Sequence, residues 1–454
     1  MQRKMVFIAV SLSVFFLSCK KEIEDDSAAQ TQNSALILEK KGNPHLKIAI
    51  VSDIHYMHPS LLINGGADGI AFQNYIAQDP KLVQYSDPIW RQVVSELKNE
   101  KPDILLVTGD ITKDGEKIGH EAMAGFLTQL EKCGTKVLVI PGNHDINNAK
   151  AKLYDGNNDY PVAQTTPAAF ANIYANFGYN AALSRDACSL SYVAQLKPGL
   201  RLIAIDASKY EEYGPSGDVA AGRIKPATLA WILEQIAIAK QHNIQVFAMM
   251  HHNLVEHYAG QATLDPGYVV DDWQNVAKSL MDAGLKIIFT GHYHANDISS
   301  YTQNGKEITD IETGSLVTAP IPYRIITLKK DMLEVKSTTV KSIRARLPGG
   351  LSFPVYSSRF LSRHLDGYFY YYLGSLLGVD PAIVPTAVPL FRNGIMAHFA
   401  GDEKMPTDQR RKIEALSILP PGSSAGPTPD VLAGIVTTLW TDLGIKDNTT
   451  YVKY

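Results

Sequence analysis

Cysteine is scarce, with three in 454 residues, and only Cys133 and Cys188 remain once Cys19 is set aside. An oxidising compartment would permit one disulfide between them, but unpaired cysteine is the expected state. Positive charge is in no surplus either. The formal net charge is -3, which gives no sign of a nucleic-acid binder, although nucleic acid as a substrate stays open because a local basic patch does not show in the total. The chain holds a single long apolar run, Met5 to Leu17. That run is too short to cross a bilayer core of ~30 Å as a helix. No internal repeat is present, and no low-complexity tract outside the N-terminal stretch.

The composition, 45% apolar, is ordinary for a globular chain. Its length suggests two domains, or one large domain with an appendage. The N-terminus reads as a processing signal. Arg3 and Lys4 precede the apolar run, which ends in Phe16-Leu17-Ser18-Cys19. This resembles a bacterial lipobox, so residues 1–18 are expected to be a signal peptide and Cys19 to carry a lipid. The alternative is a plain secretory signal with an incidental cysteine. Residues 19–45 continue as a charged, flexible tether with Glu22, Glu24, Asp25 and Asp26. The expected location is extracytoplasmic, at a membrane through the lipid.

From Leu46 to about Leu328 a pattern recurs, a short apolar strand followed by a polar turn. The strands are expected at Lys47–Ser52, Ile104–Thr108, Lys136–Ile140, Arg201–Ile205, Ile244–Met250 and Leu285–Thr290. Near-continuous apolar runs fit strands buried on both faces. Between them lie helical patterns. Asp87 with Pro88 reads as a cap and first turn, followed by a stripe of Trp90, Val93, Val94 and Leu97. Glu307 to Val340 reads as strands with a hairpin break at Lys330-Asp331. The fold class is α/β, a sheet sandwich flanked by helices, with the polar turns at one end of the strands. After Leu347-Pro348-Gly349-Gly350 the pattern becomes mostly helical, so 46–346 is the expected catalytic domain and 347–454 a helical module. There Val431, Ile435, Leu439 and Leu443 read as an apolar stripe, and Tyr368 to Tyr372 as a packing surface. Tyr56 to Ser86 reads as a long insertion able to roof the site.

Five strand ends carry metal-ligating residue types. They are Asp53-Ile54-His55, Gly109-Asp110, Gly142-Asn143-His144-Asp145, His251-His252-Asn253 and Gly291-His292-Tyr293-His294. Each alone is weak, since Asp-x-His and Gly-Asp are common in turns. All five in this order, each straight after an apolar strand, form a strong signal. Imidazole with carboxylate oxygen suits Fe, Mn or Zn.

The order resembles the calcineurin-like metallophosphoesterase pattern D-x-H, GD, GNH-D/E, H, GH-x-H. The resemblance implies a four-layer αββα sandwich around two metal ions. Asp53, His55, Asp110 and His294 would hold one, and Asp110, Asn143, His251 and His292 the other, with Asp110 bridging. His144 would stand beside the phosphate as a catalytic residue rather than a ligand. Two departures matter. The ligand histidine in relatives typically lies two residues before a proline; here that position is Asn253, so His251 rests on register and His252 is a substrate contact or structural. Relatives often carry GD-x-x-D, whose last position here is Lys113, leaving Asp114 and Asp145 as candidate partners of His144. His58, His120 and His257 read as ordinary polar residues.

Within that superfamily, GNHDINN at Gly142 to Asn148, the double histidine and the helical C-terminal part look like the class III cyclic-nucleotide phosphodiesterases. The leading expectation is a phosphodiesterase. The alternatives are a phosphomonoesterase acting on nucleotides or phosphoproteins, and a lipoprotein that uses the fold only to bind. No protein partner is expected.

Overall fold

A computed structural model describes residues 45–422 and 424–454. The expected signal peptide, Cys19 and nearly all of the tether fall outside the described residues. Residues His45–Tyr454 form one compact unit. Its strands are β1 (Lys47–Val51), β2 (Leu62–Ile63), β3 (Ile104–Val107), β4 (Lys136–Val139), β5 (Lys152–Asp155), β6 (Asn158–Pro161), β7 (Ser184–Arg185), β8 (Tyr192–Lys197), β9 (Leu200–Ile205), β10 (Gln245–Met250), β11 (Ile287–Thr290), β12 (Ile298–Gln303), β13 (Lys306–Glu312), β14 (Pro322–Leu328), β15 (Met332–Thr339) and β16 (Thr449–Lys453). The helices used below are α1 (Ile70–Gln78), α2 (Ser86–Glu100), α3 (Lys117–Glu131), α4 (Pro167–Ile173), α5 (Pro226–Gln241), α6 (Trp273–Ala283), α7 (Phe353–Tyr371), α8 (Val384–Ala400), α9 (Thr407–Ser417) and α10 (Pro429–Thr438).

Two sheets form the sandwich, ordered β16-β15-β14-β1-β3-β4 and β12-β13-β11-β10-β9-β8-β7. Strands β1, β3 and β4 run parallel, as do β9, β10, β11 and β13. Side-chain alternation places both faces of the second sheet in a core. Leu202, Ala204, Phe247 and Met249 join the core shared with β1, β3 and β4, while Ile203, Ile205, Ala248 and Met250 pack with residues of α5 and α6. The αββα expectation therefore holds, and the apolar runs are explained by burial on both faces.

Four details differ from the sequence reading. Asp87 is not a cap: α2 begins at Ser86, wound directly from a 3-10 turn at Val83–Tyr85. The Asp87 carboxylate instead accepts from the Tyr56 hydroxyl at 2.9 Å and from Arg91 Nε at 2.8 Å. The insertion is no bare loop, because α1 buries Phe72 and Ile76 in a small core with Met57, Leu61, Val83 and Tyr154. The C-terminal stripe is half right, since Leu439 is buried with Ile435 packed against the same core but the other two positions face out. Helix α10 buries Pro429, Leu432, Ala433 and Val436, spaced i, i+3, i+4, i+7, while Val431 and Leu443 are exposed. The chain then returns to the first sheet as β16, which pairs antiparallel with β15. In that strand only Val452 is buried, so its pattern carries no strand signal. Cys133 and Cys188 are free and exposed. Among the described residues no helix is long and apolar enough to cross a membrane.

Candidate metal centre

Parallel strands present their C-terminal ends to one edge of the sandwich, and the five motifs meet there. Asp53 Oδ1 lies 3.3 Å from His294 Nε2 and 3.7 Å from His55 Nε2. Asp110 Oδ2 lies 3.3 Å from His251 Nε2 and 3.5 Å from His55 Nε2. Asn143 Oδ1 is 3.2 Å from His251 Nε2. Two groups of potential ligands result, Asp53-His55-His294 and Asp110-His251-His292, each with its ligand atoms within 4.8 Å of one another. Asp110 faces both.

The surroundings fit cations in these groups. Asp53 Oδ1 and both His55 ring nitrogens are buried without a hydrogen-bond partner among the described residues, a costly state unless a ligand completes them. The other rings are held by their far nitrogens. His251 Nδ1 meets the Thr108 carbonyl at 2.8 Å, His292 Nε2 the Gly267 carbonyl at 3.1 Å, and His294 Nδ1 the Thr318 hydroxyl at 2.9 Å. Such partners fix tautomer and ring orientation, leaving one nitrogen free for a metal. Asn143 donates its amide NH₂ to Asp218 Oδ2 at 3.0 Å, which turns its oxygen inward.

The backbone is strained to achieve this. Asp53, His55, Asp110, His292 and His294 all have positive φ, between 41° and 79°. Left-handed conformations in non-glycine residues cost free energy and gather at functional sites. The motif glycines have a steric reason. A Cβ on Gly142 would overlap the Asp110 carboxylate, and one on Gly109 would stand 2.6 Å from His251 Nδ1.

His144 stands beside the two ligand groups, its Nε2 3.9 Å from Asp110 Oδ2. Its Nδ1 bonds Asp114 Oδ1 at 2.8 Å, so of the two candidate partners Asp114 is the one that orients it. Asp145 is occupied otherwise. Its carboxylate accepts from the backbone amides of Ile111, Thr112 and Gly142, stapling two ligand loops together. His252 is fully buried, with Nε2 on the Ala220 carbonyl at 3.0 Å and its ring 4.4 Å from that of His292 between centroids. His120 and His257 are also buried and internally bonded, and His58 caps a short turn.

Two residues escape the sequence reading. Lys81, from the insertion, places Nζ 3.3 Å from His144 Nε2 and 2.9 Å from Asp79. Asp218, from the loop before α5, stands 3.6 Å from His144 Nε2 and 2.8 Å from Lys150. Both arrive from irregular segments that carry no motif. Only the Asp79-Pro80-Lys81 and Gly217-Asp218 turns mark their places in the sequence.

Electrostatics divides these groups. Burial opposes ionisation of Asp53 and Asp110, but His294 beside the first and His251 and His144 beside the second hold both well below the usual carboxylate range. Burial and Lys81 pull His55 down to about 4, and burial with His251 pulls His292 down to about 3, so both stay neutral. Burial also opposes charge on His144 and His251. It is outweighed by Asp218, Asp110 and Asp114 around His144 and by Asp110 and Asp53 around His251, raising each to about 9.

A family model described as Calcineurin-like phosphoesterase matches residues 46–296. The chain belongs to the calcineurin-like phosphoesterase family. It is similar to the serine/threonine-protein phosphatase CPPED1 of Pongo abelii, 25% identical over 219 residues, covering 46% of this chain and 59% of that protein. The Homo sapiens CPPED1 matches over the same extent. A probable cyclic nucleotide phosphodiesterase of Vesicomyosocius okutanii is 31% identical over 67 residues, 15% of this chain and 28% of that protein. The chain thus spans less than two thirds of the length of each. Among solved structures, a dimetal phosphatase from Danio rerio has a TM-score of 0.44 at 15% identity, covering 65% of this chain and 97% of that one.

Proposed function

We propose that this chain is a metal-dependent phosphoester hydrolase acting on diesters. The observation that carries the reading is the convergence of Asp53 Oδ1, His55 Nε2 and Asp110 Oδ2 beside the His144–Asp114 pair. The first two of these atoms are buried without a hydrogen-bond partner among the described residues. Asp53, His55, Asp110 and His294 would hold one cation, and Asp110, Asn143, His251 and His292 the other. Fe, Mn or Zn fits this donor set. Bound there, such ions supply Lewis acidity and a hydroxide near neutral pH.

The chain's own residues do the rest. His144, oriented by Asp114 and lining the cavity, would hand a proton from Nε2 to the departing oxygen. Lys81 beside it offers a second positive charge to the phosphoryl oxygens. In the net reaction water's oxygen bonds to phosphorus, the P–O bond to the leaving group breaks, and the proton ends on that group. The GNHDINN run and the similarity to a probable cyclic nucleotide phosphodiesterase support a diester. A phosphomonoesterase is the second reading, favoured by the longer match to the CPPED1 phosphatases.

The test is turnover of bis(p-nitrophenyl) phosphate against p-nitrophenyl phosphate in Mn-loaded protein. Preference for the diester supports the proposal and preference for the monoester supports the second reading. No turnover with metal bound contradicts both. The anchor is proposed separately, since Cys19 lies outside the described residues. Cys19→Ser should move the protein from the membrane to the soluble fraction with unchanged catalysis; persistent membrane association after signal cleavage would contradict it.

A further inference from the structure

The metal centre opens into a cavity of about 690 Å³ whose far wall belongs to the C-terminal helices. Its near end holds Asp110, Asn143, His144, Lys81, His292 and His294. Its far end is built by Leu361, Leu365 and Phe369 of α7, Phe391 and Ile395 of α8, and Leu439 after α10. The two ends are continuous, because Phe399 of α8 stands with its ring 6.3 Å from the His294 ring.

Two features separate this space from a packing defect. Protein interiors are filled to crystal-like density, so an apolar extension of the site lined by residues from three helices is not expected by default. The part of the wall drawn from the C-terminal helices is also largely apolar, with Gln78, Thr263 and Asp265 supplying polar groups elsewhere in the lining. Among the described residues, every lining residue beyond position 360 is apolar or tyrosine. A nucleobase, a ribose or a phosphopeptide seated against the C-terminal helices would find few hydrogen-bond partners there and would carry a desolvation penalty. A hydrocarbon chain meets the wall without it.

We infer that the substrate is a phosphoester of a long-chain lipid alcohol, with its phosphate at the strand ends and its hydrocarbon in the helical chamber. This rests on the phosphoester-hydrolase reading and narrows its substrate. The surface beside the chamber agrees. Tyr370, Tyr371 and Leu376 are exposed by half or more, flanked by the wall residues Phe369, Tyr372 and Leu377. An apolar rim of this kind suits a substrate arriving from a lipid phase.

The test uses full-length protein loaded with Mn and a series of alkyl p-nitrophenyl phosphates, methyl, butyl, octyl and dodecyl, kept below micelle formation. Hydrolysis joins water oxygen to phosphorus, releases p-nitrophenolate and leaves the alkyl phosphate. Each buried methylene should raise kcat/KM about fourfold (~0.8 kcal/mol), so octyl should exceed methyl by at least about a hundredfold. Equal kcat/KM for methyl and octyl would overturn the inference while leaving the hydrolase reading intact. A second measurement does not need turnover: dodecylphosphonate should bind at least about a hundredfold tighter than methylphosphonate by calorimetry. Equal affinities would overturn the inference even if no ester is hydrolysed. Tight dodecylphosphonate binding without hydrolysis would keep the chamber and discard the hydrolase reading. Tyr368→Lys, at a partly exposed wall position, should collapse the octyl-to-methyl ratio in folded protein. Leu365→Gln should do the same where it folds, and an unchanged ratio in folded Tyr368→Lys would count against the chamber.

Discussion

The two ends of the cavity are made by different physics. The strand-end wall is polar, buried and strained, with five ligand residues at positive φ. Its rings are aimed by hydrogen bonds, as Thr108 aims His251 and Thr318 aims His294. The helical wall is apolar and held by packing, from residues spread over α7, α8 and the turn after α10. Packed walls tolerate hydrophobic exchange at constant volume, whereas a ligand set fixed to fractions of an ångström does not. On the proposed reading the strand-end wall would define the reaction and the helical wall would select the molecule.

The largest expected effect lies at the polar end. Asp110→Ala removes the carboxylate that faces both ligand groups, so it should lose both metals and about 10³-fold or more in turnover, read by metal analysis and kcat. A variant that kept two metals would break the division drawn here, because the strand-end wall would then tolerate loss as the helical wall does. Gly142→Ala should act in the same direction without removing a ligand, since its Cβ would overlap Asp110.

His144→Ala sharpens the same end. It should keep both metals, lose ~10²–10⁴-fold on an alkyl diester, and lose far less on bis(p-nitrophenyl) phosphate, whose leaving group departs unaided. Equal losses on both substrates would assign His144 to substrate positioning instead.

The next effect is on stability and sits where the C-terminal chain is fastened. Arg324 on β14 is fully buried. It donates to the backbone carbonyls of Glu312, Asp297 and Asp447 and to the Ser337 hydroxyl. Arg324→Met should leave those acceptors unpaired and cost about 3–5 kcal/mol, measured by denaturant unfolding. Metal content of the protein that remains folded should be unchanged; loss of metal would show that the two ends are not separable. The smallest expected effect is Lys81→Ala, about tenfold in kcat/KM with metals retained, because Lys81 stands beside His144 and bonds no metal ligand.

The polar end is legible in the sequence because its signals are local. Ligand types, glycines that permit close approach, and the apolar strands before them lie within a few residues of each other. Spacing does not choose Asp114 over Asp145, since both follow ligand motifs. What decides it is that Asp145 is consumed by three backbone amides, a fact of the folded loops. The left-handed backbone at the ligands is marked only weakly, by Asp and His, which adopt it more readily than most non-glycine residues. Lys81 and Asp218 come from segments whose path depends on tertiary packing. At the apolar end, helices are readable but their phase is not. A fourfold spacing puts Val431 and Leu443 inside, whereas the buried face follows Leu432, Ala433 and Val436. Of the same stripe, Ile435 and Leu439 do face inward, onto the cavity. Tyr368, Phe369 and Tyr372 read as packing surface; Phe369 is indeed buried in the helical core with Tyr372 against it, and all three also line that cavity.

The central claim is that the strand ends hold two cations through separable ligand groups joined by Asp110. Metal analysis of purified, reconstituted wild type and His294→Ala tests it most directly. The account predicts two ions per chain in the wild type and about one in the variant, because His294 belongs only to the Asp53 group. One ion in the wild type, or two in the variant, would contradict it.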